Sequence, residues 1–383
     1  MKTDFNKLKV LIIGPAYPLR GGLATFDELL CRAFLTDGHQ TEIISYSLQY
    51  PSFLFPGSSQ YEVNGKPPEG ITIHTILNSI NPLNWFRVAK FIRGFKPDLI
   101  VVRFWIPFMG PSLGTVLRHS KKCGAKIIAI CDNVIPHEKR VGDRQFTSYF
   151  LKSCHGYVTM SKAVMQDLDV FVNTNKKKFL LHPLYTSFGP RMDKGKSREF
   201  LGLPKEDKII LFFGLIRHYK GLDLLLEAMA DERIKNQNIK LLVAGEFYED
   251  KTIYEELMRK HQLEDAVILH SRFIPNEEVR YYFSAADLLT LTYRNATQSG
   301  VTQVAFHFEK PVIVTDVGGL SEIIPDGKCG YVVTPDALSI ANRILDFYSE
   351  KKEVEFSLAM AEEKKKYEWP VFVSGLLNLY SRL

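Results

Sequence analysis

Short apolar runs separated by amphipathic stretches recur along the whole chain. In the first half they are VLIIG (10–14), TEIISYS (41–47), DLIVVRF (98–104), KIIAIC (126–131) and GYVTM (156–160). In the second half they are KIILFFG (208–214), IKLLVAG (239–245), AVILH (266–270), LLTLTY (288–293) and PVIVTD (311–316). Unbroken rather than alternating apolarity predicts strands buried on both faces, as in parallel sheets. Between them, ATFDELLCRAFLTDG (24–38) and GLDLLLEAMA (221–230) carry helical periodicity. Strand and helix alternating in this way predict an α/β chain of doubly wound, Rossmann-like sheets.

The stretch at 182–207, HPLYTSFGPRMDKGKSREFLGLPKED, breaks the pattern, being rich in Pro, Gly and charge and without periodicity. It separates two sets of about five strands each, and 383 residues are too many for one ordinary core. Two Rossmann-like domains facing each other across a cleft are expected, divided near residues 186–195, with ligands at the carboxyl ends of the strands.

Composition narrows the class. Hydrophobic content of 45% and charged content of 24% suit a globular protein. A net charge of +6 is too small and dispersed for nucleic acid, but it leaves room for an anionic ligand or peripheral contact with a membrane surface. The five cysteines are scattered and lack metal-type spacing, which points to packed thiols in a reducing compartment. MKTDFNKLKVLIIG (1–14) enters a strand without a signal-type apolar core, and no run approaches the roughly 20 apolar residues of a membrane span. A cytoplasmic location is expected.

Three segments carry candidate chemistry. GPAYPLRGGLATF (14–26) runs from strand through loop to helix. Gly21 and Gly22 lie where absent side chains let an anion approach backbone N–H groups, a plain tight turn being the alternative. LFFGLIRHYKGLDLLLEAM (211–229) sets Arg217 and Lys220 after a buried strand and before a helix. Cations beside a helix N-terminus are unfavourable without an anion, so this spacing predicts a diphosphate clamp. NATQSGVTQVAFHFEKPVI (295–313) reads as loop, helix and strand. There Ser299 either caps the helix or binds the anion, Gly300 permits close approach, and the amides of Gly300 and Val301 point at a phosphate.

Together these segments resemble the GT-B-fold glycosyltransferases often called family 4, or group 1, which use sugar nucleotides with retention. PLRGGLATFDELLCRAFLTDGHQTEII looks like their Gly-Gly loop and first helix. FFGLIRHYKGLDLLLEAM is similar to their segment whose Arg and Lys hold the donor pyrophosphate. SRFIPNEEVRYYFSAADLLTLTY looks like the segment that packs the nucleobase, with the backbone around Phe273 and Ile274 facing the base. KPVIVTDVGGLSEIIPDGKCGYVV resembles their later strand and Gly-Gly loop. YEWPVFVSGLLNLYSRL (367–383) looks like a final Trp-bearing helix that crosses back. The resemblance implies an acceptor-side domain at 1–190, a nucleotide-sugar-binding domain at 191–366, and a helix at 367–383 returning to the first domain.

Two departures stand out. The family usually has two Glu residues seven apart around the helix start, one meeting donor-sugar hydroxyls and the other the ribose. Neither occurs here: the second falls at Gln303 or Val304, and the first at Asn295, Thr297 or Gln298 according to register. Gln303 can still bond a ribose diol and Gln298 a sugar hydroxyl, yet neither supplies negative charge to an oxocarbenium-like transition state. In the front-face mechanism attributed to the family, the leaving diphosphate accepts the acceptor's proton, so Arg217 and Lys220 would carry the largest share. The second departure lies in IIAICDNVIPHEKR (127–140), where members often carry a strand-end His. Here Cys131 and Asp132 occupy that place and His137 is the nearest imidazole; Asp132 and His137 contact substrate, or Asp132–Asn133 makes an Asx-type turn and His137 is a surface side chain. Arg103 and Trp105 in RFWIPFMGP (103–111) fit an acceptor cleft or packing between domains.

The expectation is a metal-independent hexosyltransferase without a cofactor, taking a nucleotide sugar and a saccharide or lipid-linked acceptor. A sugar-nucleotide epimerase on the same fold is one alternative, though the cleft loops lack a constellation for its proton chemistry. A sugar-nucleotide-binding protein without turnover is the other.

Overall fold

The ten apolar runs all form strands. The structure, a computed structural model, describes residues 7–51, 60–62, 67–136, 140–185, 188–296 and 299–383. It divides into two units, residues 1–183 with 368–383, and residues 184–367.

In the first unit the order is β1 (Lys9–Ile13), α1 (Gly22–Thr36), β2 (Gln40–Leu48), β3 (Thr72–Asn78), α2 (Pro82–Phe95), β4 (Leu99–Phe104) and α3 (Gly110–Ser120). It continues through β5 (Lys126–Cys131), α4 (Asp143–Leu151), β6 (Gly156–Thr159), α5 (Lys162–Asp169) and β7 (Lys177–Phe179). The strands form one parallel sheet in the order β3-β2-β1-β4-β5-β6-β7. Strand order reverses between β1 and β4, the place where doubly wound sheets open a crevice at their carboxyl ends.

Alternate residues of β1 serve two cores. Leu11 and Ile13 join Val88, Ile92, Leu113 and Val116 of α2 and α3 on one face. Val10 and Ile12 join Phe26, Leu30 and Phe34 of α1 on the other. Burial on both faces explains why the runs read as continuous rather than alternating.

The second unit runs α6 (Lys194–Leu201), β8 (Lys208–Phe213), α7 (Leu222–Met229), α8 (Glu232–Lys235), β9 (Ile239–Ala244), α9 (Thr252–His261), β10 (Val267–His270) and α10 (Asn276–Ala285). Then come β11 (Leu288–Leu291), α11 (Gly300–His307), β12 (Val312–Thr315), β13 (Gly330–Val333), α12 (Ala337–Ser349) and α13 (Glu353–Glu363). Its strands form a parallel sheet in the order β10-β9-β8-β11-β12-β13. Ile210 and Phe212 of β8 pack with Leu225, Tyr254 and Ile344 from α7, α9 and α12.

The last helix, α14 (Trp369–Tyr380), belongs to the first unit. Its Trp369, Phe372, Val373, Leu376, Leu377 and Leu379 complete the core beneath α1, and Trp369 meets Phe26 edge-on with ring centroids 5.1 Å apart. Among the described residues, no helix is long and apolar enough to cross a membrane.

Candidate active site

In the second unit the site begins where β8 ends. Gly214 leaves the strand at φ 105°, a left-handed conformation that glycine adopts without strain. A Cβ there would lie 3.1 Å from Lys220 Nζ and 3.7 Å from Val301 Cγ2, so the bare glycine lets lysine and the start of α11 converge. The loop then makes a 3-10 turn at His218–Lys220 and enters α7 through Gly221. Gly221 has φ 67°, and a Cβ on it would sit 1.9 Å from the Thr292 carbonyl oxygen. Thr292 Oγ1 donates to the Gly221 carbonyl at 2.8 Å, and the Arg294 N–H to that of Tyr219 at 2.7 Å. The turn is thereby fixed to the end of β11 from both sides.

That fixation holds Lys220 in an unusual setting. Its side chain is buried, and Nζ has neither an ion-pair nor a hydrogen-bond partner among the described residues. Its closest ring is Tyr293, with Nζ 5.7 Å from the centroid. Burial, with the nearby Arg217 guanidinium second, pulls the ammonium down to about 8. Arg217 itself is exposed, 5.2 Å over the Tyr248 ring. A buried, unpaired ammonium is costly and is normally neutralised by an anion or by loss of its proton.

Ser299 is the N-cap of α11, its Oγ accepting from the Val301 N–H at 3.2 Å and meeting Tyr293 OH at 3.1 Å. Tyr293 therefore lies between the ammonium and the helix start. The Val301 amide, expected to face a phosphate, is instead occupied by the Ser299 hydroxyl. The amide of Gly300 has no acceptor among the described residues. Gln303, one turn on, is buried, and its Oε1 lacks a partner among the described residues. Thr297 and Gln298 lie outside the described residues.

Phe273 and Ile274 precede α10 with opposite exposures: the Phe273 side chain is in solvent and Ile274 is buried. Beside them Arg272 pairs with Glu278, and His270 Nδ1 meets Tyr282 OH at 2.9 Å.

In the first unit the sequence candidates gather at the carboxyl ends of β1, β4 and β5. Gly21, at φ 108°, and Gly22 open α1 and are both exposed. Arg103, for which the sequence allowed an acceptor cleft or packing, is buried. Its Nε and Nη2 bond Asp132 at 2.5 and 2.7 Å, its Nη1 lies 3.5 Å from Asp27, and its guanidinium stacks 3.8 Å over Phe26. Asp132 keeps 18% of its side chain exposed, so any ligand reaching this cluster meets the carboxylate and not the arginine. Trp105 is half-buried and donates to Tyr50 OH at 2.6 Å. His137 lies outside the described residues.

Asp27 was not singled out by sequence. Its carboxyl is buried, Oδ2 has no partner among the described residues, and a Cβ on Gly14 would strike it at 2.1 Å. Burial pushes it up to about 8, opposed by Arg103 and aided by Asp132. A signal for it existed: Asp27 falls on the apolar stripe with Leu30, Cys31 and Phe34, where a carboxylate is out of place. Tyr293 carried no such mark, since a tyrosine closing a strand is ordinary packing.

Comparison with known proteins places these residues in context. Residues 193–367 match the family model described as glycosyl transferases group 1. The chain is 23% identical over 407 aligned residues to an uncharacterized glycosyltransferase of Methanocaldococcus jannaschii, covering 97% of this chain and 98% of that one. It is 27% identical over 207 residues to D-inositol 3-phosphate glycosyltransferase of Corynebacterium aurimucosum, which covers 52% of this chain and 48% of that relative's length. Among solved structures, the Anabaena protein HepE in complex with UDP superposes with a TM-score of 0.73 at 16% identity, over 98% of this chain and 100% of that one. That likeness is one of fold, the paired Rossmann-like domains of GT-B proteins.

Proposed function

We propose that this chain, whose residues 193–367 match the family model of group 1 glycosyl transferases, transfers a sugar from a nucleoside diphosphate sugar to a hydroxyl of a saccharide or lipid-linked acceptor, with retention. The observation that carries this reading is the buried, unpaired ammonium of Lys220 beside the start of α11. A diphosphate there would supply the missing counter-charge, take a hydrogen bond from the Gly300 amide, and draw in the exposed Arg217. HepE, solved with UDP and with UDP-glucose, makes a uridine nucleotide a natural first ligand to try.

In the proposed reaction the acceptor oxygen bonds to the anomeric carbon on the face the diphosphate leaves. The bond from that carbon to the β-phosphate oxygen breaks, and this oxygen takes the acceptor's proton. Lys220 and Arg217 act on the negative charge that builds on the leaving phosphate. Gln303 Oε1, an acceptor only, suits a ribose hydroxyl. Asp132, held in place by Arg103, suits a sugar hydroxyl. Gly21 and Gly22 keep the loop before α1 open to a ligand phosphate or sugar, and Trp105 offers an acceptor sugar its aromatic edge. Phe273 and Ile274 are the proposed base-side residues.

A second reading, nucleotide-sugar binding without turnover, draws support from the lack of both family Glu residues, the second of which would fall at Gln303 or Val304. Calorimetric titration with UDP, GDP, ADP and dTDP, followed by donor-consumption assays with the corresponding sugars, separates the two. One diphosphate should bind well, and Lys220→Ala should weaken it by about 2 kcal/mol, roughly thirtyfold in Kd. Binding unaffected by Lys220→Ala would remove the clamp, and binding without donor consumption would favour the second reading.

A further inference from the structure

The first unit carries a surface that its fold does not use. Ile80, Leu83 and Phe86 are 50%, 71% and 48% exposed, at and just before the first turns of α2. Arg87, Lys90 and Gly94 are exposed further along the same helix. At 100° per residue, Leu83, Phe86, Arg87, Lys90 and Gly94 fall within an arc of about 100°. The opposite side, Val88, Ala89 and Ile92, is in the core. The outward stripe is therefore apolar at the start of the helix and cationic along its body.

The charge around the stripe is of one sign. From residue 80 to 96 the sequence holds Arg87, Lys90, Arg93 and Lys96 and no carboxylate. His119, at the end of α3, sets its ring 4.8 Å from that of Phe86. The exposed Lys121 and Lys122 follow in the same turn. Asp98, the first acid beyond α2, is occupied by the Lys9 N–H at 2.7 Å.

We propose that this stripe of α2 is a docking face for an anionic lipid bilayer. Exposed Leu and Phe side chains on a helix tip lose apolar area to water unless something covers them. An acyl boundary covers them, and lipid phosphates meet Arg87, Lys90, Lys121 and Lys122 at headgroup depth. A polyanion such as nucleic acid would answer the cations but leave Ile80, Leu83 and Phe86 in water. Because β3 leads directly into α2, the apolar tip stands at the carboxyl edge of the first sheet. The proposal does not depend on sugar transfer.

Co-sedimentation of the full chain with vesicles tests it, using phosphatidylcholine alone and phosphatidylcholine mixed with phosphatidylglycerol. The mixed vesicles should pellet the protein and the neutral ones far less. Arg87→Gln with Lys90→Gln should lower partitioning about thirtyfold, from about 1 kcal/mol per basic residue near an anionic surface. Leu83→Ser with Phe86→Ser should lower it about tenfold or more. Val354→Ser with Leu358→Ser, exposed on α13, should leave it unchanged. All these side chains are exposed, and unchanged thermal melting verifies the fold. Absence from both pellets, or pelleting that survives both α2 double substitutions, overturns the proposal. So does a loss confined to the charge variant, which would mark a polyanion site and not a bilayer face.

Discussion

Lys220 shows how a site can be costly to the fold that holds it. Its folded pKa, about 8, lies below the ordinary lysine value of 10.5. Between those values the unfolded chain binds more protons, so stability should rise with pH through this window, and the burial cost is fully present below it. Lys220→Met should therefore raise stability at pH 7 by about 1–3 kcal/mol and abolish the rise between pH 8 and 10.5. Nucleoside diphosphate affinity should be flat below pH 8 in the parent and fall above it, as the ammonium that meets the phosphate is lost. Urea titrations and calorimetry across pH 6.5–9.5 read both; a pH-independent affinity would mean that Lys220 is not the cation involved. The lysine itself was legible in the sequence, because a cation between a buried strand and a helix start needs a reason. Its setting was not. That Gly214 clears the way to Val301, and that Tyr293 stands between Lys220 and Ser299, depends on residues some eighty positions apart. Arg103 shows the converse: the sequence left it between an acceptor cleft and packing, and the fold buries it between Asp132, Asp27 and Phe26.

At the scale of the element, the strands found from sequence were mostly those buried on both faces, the edge strand β10 with its exposed Leu269 being an exception. β3 is an edge strand, TIHTILN, with mixed exposure, and β7 is only Lys177–Phe179. Neither has the continuous apolarity that marks a central strand. β13, a four-residue GYVV, is an edge strand too. α11 was legible through its Ser-Gly start, but the division of labour within its cap was not. Ser299 is shared between the Val301 amide and Tyr293, which makes it structural before it is ligand-binding. Ser299→Ala should cost about 1–2 kcal/mol, by removing the cap and leaving the buried Tyr293 hydroxyl unpaired. Ser299→Asp keeps an N-cap acceptor and should retain most of that stability, while its carboxylate opposes a bound diphosphate. Denaturant unfolding and nucleotide titration of the two variants should separate in opposite directions. If both weaken binding equally with no stability difference, the hydroxyl contacts the ligand directly.

For the whole molecule, the sequence pattern shows two sheets but cannot say where the last helix goes. α14 is apolar around most of its circumference, so periodicity predicts burial without naming a partner. Only the resemblance to a glycosyltransferase family pointed to the first domain, and the cores show why the chain returns. Phe26, Leu30 and Phe34 of α1 present a wider apolar face than α1 and the sheet can close by themselves, and Trp369, Phe372 and Leu376 fill it. Phe372 is buried against Phe26 and Trp369, at 5.7 and 6.0 Å between centroids. Phe372→Ala should cost about 3–5 kcal/mol, a large share of the 5–15 kcal/mol that holds a typical domain. Its effect should be confined to one core. In native-state hydrogen exchange, amides of β1, β4 and β5 should exchange faster, whereas those of β8, β9 and β11 keep their protection. Nucleoside diphosphate binding at the proposed Lys220 site of the second unit should persist at conditions where the first unit has begun to open. Equal acceleration in both sheets would mean that the two cores unfold as one cooperative body, with α14 securing the whole chain and not only the unit it completes.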